Sequence, residues 1–175
     1  MKYLIFLLLP IVGMTQTACP PKGDGANSKE IAADLLKNRS YCPPKYKAHG
    51  YDISVLMKDA ITDTSLVYVD AYITSVKISG VESCECHIEN NDYKDYHIYI
   101  AQTMTQDKGK NQIVEVSRYS RQFNPKMSFQ NIKALVGKKV RIYGYTFMDQ
   151  EHKGAIGDWR AGIQEIHPVF YIEAL

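Results

Sequence analysis

The sequence predicts an all-β protein with one or two short helices, a small barrel of five strands in the order β-β-β-α-β-β. Three observations carry this. Apolar residues alternate with period 2 in several separate stretches after residue 65, the pattern of half-buried strands. The phase of that alternation slips inside the first stretch, as at a β-bulge. One capped helical stretch interrupts the series between the third and fourth strands.

The first predicted strand begins at Leu66. Val67, Val69, Ala71 and Ile73 face inward, then the apolar positions shift to Val76 and Ile78, placing a bulge near Thr74 and Ser75. The second spans residues 95–101, with Tyr96, Ile98 and Ile100 on one face. A hairpin loop follows at 106–111, and residues 112–119 return as the third strand. Asn124 and Pro125 break the chain, Ser128 caps a helix, and Phe129, Ile132, Leu135 and Val136 form its apolar stripe up to Gly137. Residues 139–148 are the fourth strand, with a bend at Gly144. Residues 159–173 close the barrel, Ile166, Phe170 and Ile172 on one face and Glu165, His167, Tyr171 and Glu173 on the other. Pro168 has no donor for a ladder, so it belongs at an edge, a bulge or a change of pairing. Three strands, one helix and two strands make the five-stranded Greek-key barrel called the OB-fold.

Upstream lie two further segments. Lys2 followed by the apolar run from Leu4 to Met14 is a signal peptide over residues 1–15, with cleavage as late as residue 18. Export to the periplasm or beyond is therefore expected. Gln16 and Thr17 are poor lipobox residues, which disfavours lipid anchoring at Cys19. Residues 16–61 form an N-terminal extension with one short helix, capped by Asn27 and Glu30 and striped by Ile31, Leu35 and Leu36. Residues 51–61 fit a strand and a helical turn equally well. Residues 62–175 are the barrel. Four cysteines in an exported chain predict two disulfides, each joining Cys84 or Cys86 to Cys19 or Cys42.

The chain resembles a family of exported bacterial OB-fold-like proteins of unknown function with a C-terminal EIHPV-type motif. The shared stretches are CPPKGDG with DLLKNR, GVESCECH, DYHIYIA, VGKKVRIYGYTFMDQEH and WRAGIQEIHPVFYIE. The chain departs from the family pattern at Glu85, Tyr99 and Gln164, where the family usually carries Asn, Glu and Trp. The resemblance implies the barrel and export and brings no activity.

A net charge of +2 with interleaved signs lacks the footprint of a dedicated nucleic-acid binder. No serine sits in a nucleophile turn, and no glycine loop cradles phosphate. OB-folds bind on the outer surface of strands two and three and the adjoining loops. Tyr99, Arg118, Tyr119, Arg121, His152 and Trp159 are expected there, aromatics and arginines suited to stacking. The leading expectation is a binding module without a cofactor, its ligand a glycan, a peptide or a protein partner. The alternative is a zinc-dependent hydrolase using Asp95, His97, His152, Glu165 and His167. Against it stands strand spacing: strands two and five are two apart, roughly 9–10 Å, too far for side chains to share an ion ~2 Å from each donor. On that view Asp95 and Glu165 are solvated, and Trp159 packs on His167.

Overall fold

The computed structural model describes residues 19–175, so the expected leader and its cleavage sites lie outside the described residues. The barrel is closed by strands β2 (Leu66–Ile78), β3 (Tyr96–Ala101), β4 (Gln112–Val116), β5 (Lys139–Met148) and β6 (Gln164–Ala174). Their order around the barrel is β2-β3-β4-β6-β5, closed by pairing of β5 with β2. All pairs are antiparallel except β4 with β6. This is the OB-fold-like barrel expected.

β2 works as two strands in one. Its first half pairs with β5 and its second half with β3, and the register slips between Ile73 and Ser75, where the alternation changes phase. The inward residues Val67, Val69, Ala71 and Ile73 meet Ile98, Ile100, Val114, Val116, Val140, Ile142, Ile166 and Val169 in one core. α4 (Phe129–Lys133) caps an end of it with Ile132, its N-terminus satisfied by Ser128. The helix ends at Lys133, short of the expected end at Gly137; a turn follows, which closes at Gly137 with φ +86, the left-handed conformation glycine adopts without steric cost.

Two expectations about the strands need correction. The third strand stops at Val116, because Ser117 accepts from the amide of Ser120 and caps α3 (Arg118–Phe123). Arg118, Tyr119 and Arg121 therefore sit on a helix and not on the strand's outer face. In β6 the pairing with β5 skips a residue around Pro168, whose preceding peptide bond is cis. That shift carries Val169 into the core and leaves Phe170 edge-on to Tyr145. Gly144 lies opposite this irregularity, and a Cβ there would meet the Pro168 carbonyl oxygen at 2.4 Å. The stretch 51–61, open between strand and helical turn, is helical: Asp52 caps α2 (Ile53–Leu56), and only Tyr51 belongs to a strand, β1 (His49–Tyr51), which adds to β2 in parallel.

The N-terminal extension lies on the barrel. α1 (Ser28–Lys37) is capped by Asn27, whose side chain accepts from the amides of Lys29 and Glu30. Asn38 then donates to the carbonyls of Pro21 and Cys84, and Ser83 donates to Asp34. One disulfide, Cys19–Cys86, ties the extension to the loop between β2 and β3.

The second expected bridge does not form: Cys42 and Cys84 are free. Cys84 sits in a 3-10 turn that ends at Cys86 in the left-handed conformation, so the two cysteines are not on an extended segment. The Cys42 thiol bonds the Tyr171 hydroxyl, far in sequence from the loop that carries Cys84. Burial pushes the Cys84 thiol well above its ordinary pKa, which keeps it unreactive in the folded chain. Among the described residues no helix is long and apolar enough to cross a membrane.

Intact mass after alkylation in denaturant should therefore show two modified cysteines without reductant and four with it. Cys19→Ser with Cys86→Ser should cost about 4 kcal/mol in urea unfolding, the chain-entropy value for a closed loop of this length.

Candidate functional site

β4 runs between β3 and β6, and its outward residues decide what the outer face can hold. Ile113 and Glu115 point outward while Val114 and Val116 fill the core. Register places Glu115 directly opposite His97 on β3, and Val114 opposite Ile166 on β6, so Glu165 and His167 flank Glu115 from the other side. Glu115 thus fills the gap that separated the two histidine strands. One of its oxygens lies 3.1 Å from His97 Nε2, and the other lies 3.4 Å from His167 Nδ1. His167 Nε2 in turn lies 3.0 Å from Asp95 Oδ2, and Glu165 Oε2 is 3.8 Å from Nδ1. Phe147 presents its ring edge-on to the His167 imidazole.

None of this face is solvated where the extension crosses it. Asp95 and Glu165 are each 2% exposed and His167 1%, so the expectation of solvated carboxylates is overturned. Lys37 extends from α1 over the Phe147 ring and pairs with Glu82 at 2.9 Å. Burial without water makes every charge here depend on its neighbours. Burial disfavours charge on His167, yet Glu115, with the Asp95 and Glu165 carboxylates close by, lifts its pKa to about 10. His97 is likewise opposed by burial and lifted by Glu115 to about 9. Burial would raise Glu115, but His97 and His167 outweigh it and hold the carboxyl well below the usual carboxylate range. Glu165 goes the other way, pushed up to about 7 by burial and by Glu115.

Beside the covered patch the outer face stays open as a cleft of about 330 Å³. The sheet face that carries Tyr99, Ile113, His97 and Glu115 lines it as a floor, together with Glu165, and Lys77, His152 and Trp159 border it. Two loops shape it. Residues 107–111 pack so closely on residues 149–160 that a Cβ on Gly109 would meet the Gly157 carbonyl oxygen at 2.1 Å. That approach sets Lys108 over the Trp159 ring at 4.5 Å, with Lys77 5.3 Å from the Tyr99 ring centre and 5.9 Å from that of Trp159. Trp159 is half exposed and does not pack on His167. Its neighbour Arg160 is fully buried, pairing with Asp149 at 2.7 Å and Glu165 at 2.9 Å while donating to the Gly162 carbonyl.

The expected binding residues therefore divide. Tyr99, His152 and Trp159 line this cleft. Arg118, Tyr119 and Arg121 form a separate seam on α3: Arg118 and Tyr119 both donate to the Cys19 carbonyl, and Arg121 donates to the carbonyls of Val116 and Asp92. The guanidinium of Arg118 stacks between Tyr93 and Tyr119. Of the expected metal set, Asp95, His97, Glu165 and His167 converge, while His152 is bonded to Asp149 at 2.6 Å. Glu115 and Arg160 escaped the sequence reading. A glutamate flanked by valines within QIVEV, in register with the histidine of DYHIYIA, was the available signal for the first.

Arg160→Leu should lower stability by about 3–5 kcal/mol in urea unfolding, because it strands Asp149 and Glu165 as buried charges. The His152 imidazole, held up by its bond to Asp149, should titrate above its ordinary value in NMR, and Asp149→Asn should return it downward. A raised folded pKa means the contribution to stability is complete below the unfolded pKa of about 6.5. It is lost as pH rises through the folded one.

No protein-family profile matches the chain, and no curated protein matches it. Among solved structures it is similar to a chain in the crystal structure of yeast Stn1 and Ten1, at 13% identity and a TM-score of 0.43 over 74% of this chain. It spans 63% of the length of that chain.

Proposed function

We propose that the chain is an exported binding module and that its cleft takes a segment of a glycan. The observation that carries this is the half-exposed Trp159 bordering a charged floor that includes Tyr99. The exposed indole offers flat apolar surface to a sugar ring, with the largely buried Tyr99 ring in the lining beside it. Carboxylates and imidazoles at the floor donate to and accept from hydroxyls. The lysines beside the rings add favourable charge for an acidic sugar. The near-neutral chain and the lack of a continuous basic track disfavour nucleic acid. Export rests on the leader reading at residues 1–15.

An array of neutral and acidic glycans, followed by calorimetry on the best ligand, tests this. Trp159→Ala should weaken binding about tenfold, the order expected for a lost stacking contact of ~1–1.5 kcal/mol. The melting temperature should stay the same, because the indole supports nothing beneath it. An array without a specific glycan, or a Trp159→Ala protein that binds its glycan normally, overturns the reading. Selective peptide binding in the same format would reassign the cleft.

A further inference from the structure

We propose that Asp95, Glu115 and His167 bind one divalent cation of the zinc class, beneath the cleft floor and under the loop that precedes β3. Each of the three offers a donor atom within 4.8 Å of the other two, and all three residues are buried. The proposal shares Glu115 with the cleft but does not rest on the glycan reading, since it uses neither Trp159 nor Tyr99.

The first support is a set of unmade hydrogen bonds. His167 Nε2 lies 3.0 Å from Asp95 Oδ2, and Nδ1 lies 3.4 Å from Glu115 Oε2. At those distances a hydrogen bond would be ordinary, yet none of these four atoms makes one. Their N–H bonds are not aimed at the carboxylate oxygens. Leaving several fully buried polar atoms unpaired is costly. Donors that each sit ~2.0–2.2 Å from a tetrahedral ion lie roughly 3.3–3.5 Å apart. The 3.4 Å pair lies in that range and the 3.0 Å pair just below it, and one ring nitrogen with one oxygen of each carboxylate lies within 4.8 Å of one another, a spread that suits convergence on a shared ion better than mutual hydrogen bonding.

The second support is the distribution of fixed charge. Among the described residues, Arg160 pairs with Asp149 and Glu165, and Lys37 pairs with Glu82. No lysine or arginine pairs with Asp95 or Glu115, so two buried carboxylates have only imidazoles for company. A divalent cation would take the place of the proton on His167 and compensate both carboxylates. The donor set of one imidazole and two carboxylates suits a first-row ion. With one ring nitrogen on the ion, the other still faces a carboxylate, the arrangement that orients metal-bound imidazoles. Glu115 reaches both the cleft floor and the cluster, which gives an ion its way in.

The test uses the mature chain, stripped with chelator and then titrated with zinc. Elemental analysis and calorimetry should find one zinc per chain. His167→Ala and Asp95→Asn should each lower affinity by more than the roughly 10–100-fold that loss of an outer partner costs. His87→Ala, an exposed histidine outside the cluster, should bind as the parent does. If the two variants fail to fold, cobalt(II) on the unaltered chain decides. Visible ligand-field bands without thiolate charge transfer support the site, and a thiolate band moves the ion to Cys84. That band, an absence of retained zinc, or equal binding by folded variants overturns the proposal.

Discussion

The interaction on which the outer face depends is Glu115 between two imidazoles. Its backbone position is set by the core, because Val114 and Val116 must point inward and β4 alternates. The carboxylate is then forced onto the outer surface at the centre of three strands, opposite His97 and beside His167. In water such a group would need nothing. Under the N-terminal extension it is buried, and a buried carboxylate without compensation is strongly unfavourable. The positions of His97, His167 and Asp95 are thus the condition on which the extension can lie where it does.

That dependence runs in both directions. The extension is secured at its own ends, by the Cys19–Cys86 bridge and by Asn38 donating to the Cys84 carbonyl. Arg118 and Tyr119 grip the Cys19 carbonyl from the far side of the barrel wall. Those residues hold the cover in place, and the cover turns a solvated row of charges into a closed electrostatic cluster. The outer face is divided as a result. One part is sealed under α1 and the loop before β3, and the other remains a cleft between Tyr99 and Trp159.

Much of this was legible residue by residue. The alternation from Val67 to Ile73 and its slip before Val76 give β2 and its bulge, because a strand that serves two partners must change phase. Asn27 and Ser128 mark helix starts through local hydrogen bonds, and Gly137 closes the turn before β5 with a positive φ, all of which depend on few neighbours. The failures share a cause: each depended on something distant. Residues 117–119 continue the alternation of β4, yet a serine cap three residues from Ser120 turns them into a helix. The pairing of Cys19 with Cys86 depends on where α1 docks. Strand spacing argued against convergence of His97 and His167 because it treated the intervening strand as a spacer, whereas Glu115 on that strand touches both.

Trp159 and Arg160 show how a buried charge positions a surface ring. The two are adjacent, one half exposed and the other 1% exposed. Arg160 is fixed by two carboxylates and the Gly162 carbonyl, so the backbone that carries Trp159 cannot swing freely. Gly109 pressed against Gly157 confines the same loop from outside, and Lys108 lies over the indole. Ordering a loop and a large side chain is a main cost of binding. Here that cost is met on folding, by buried ion pairs formed before any ligand arrives. The exposed indole is therefore held ready beside Tyr99, and the same Glu165 that anchors its loop forms part of the cleft floor.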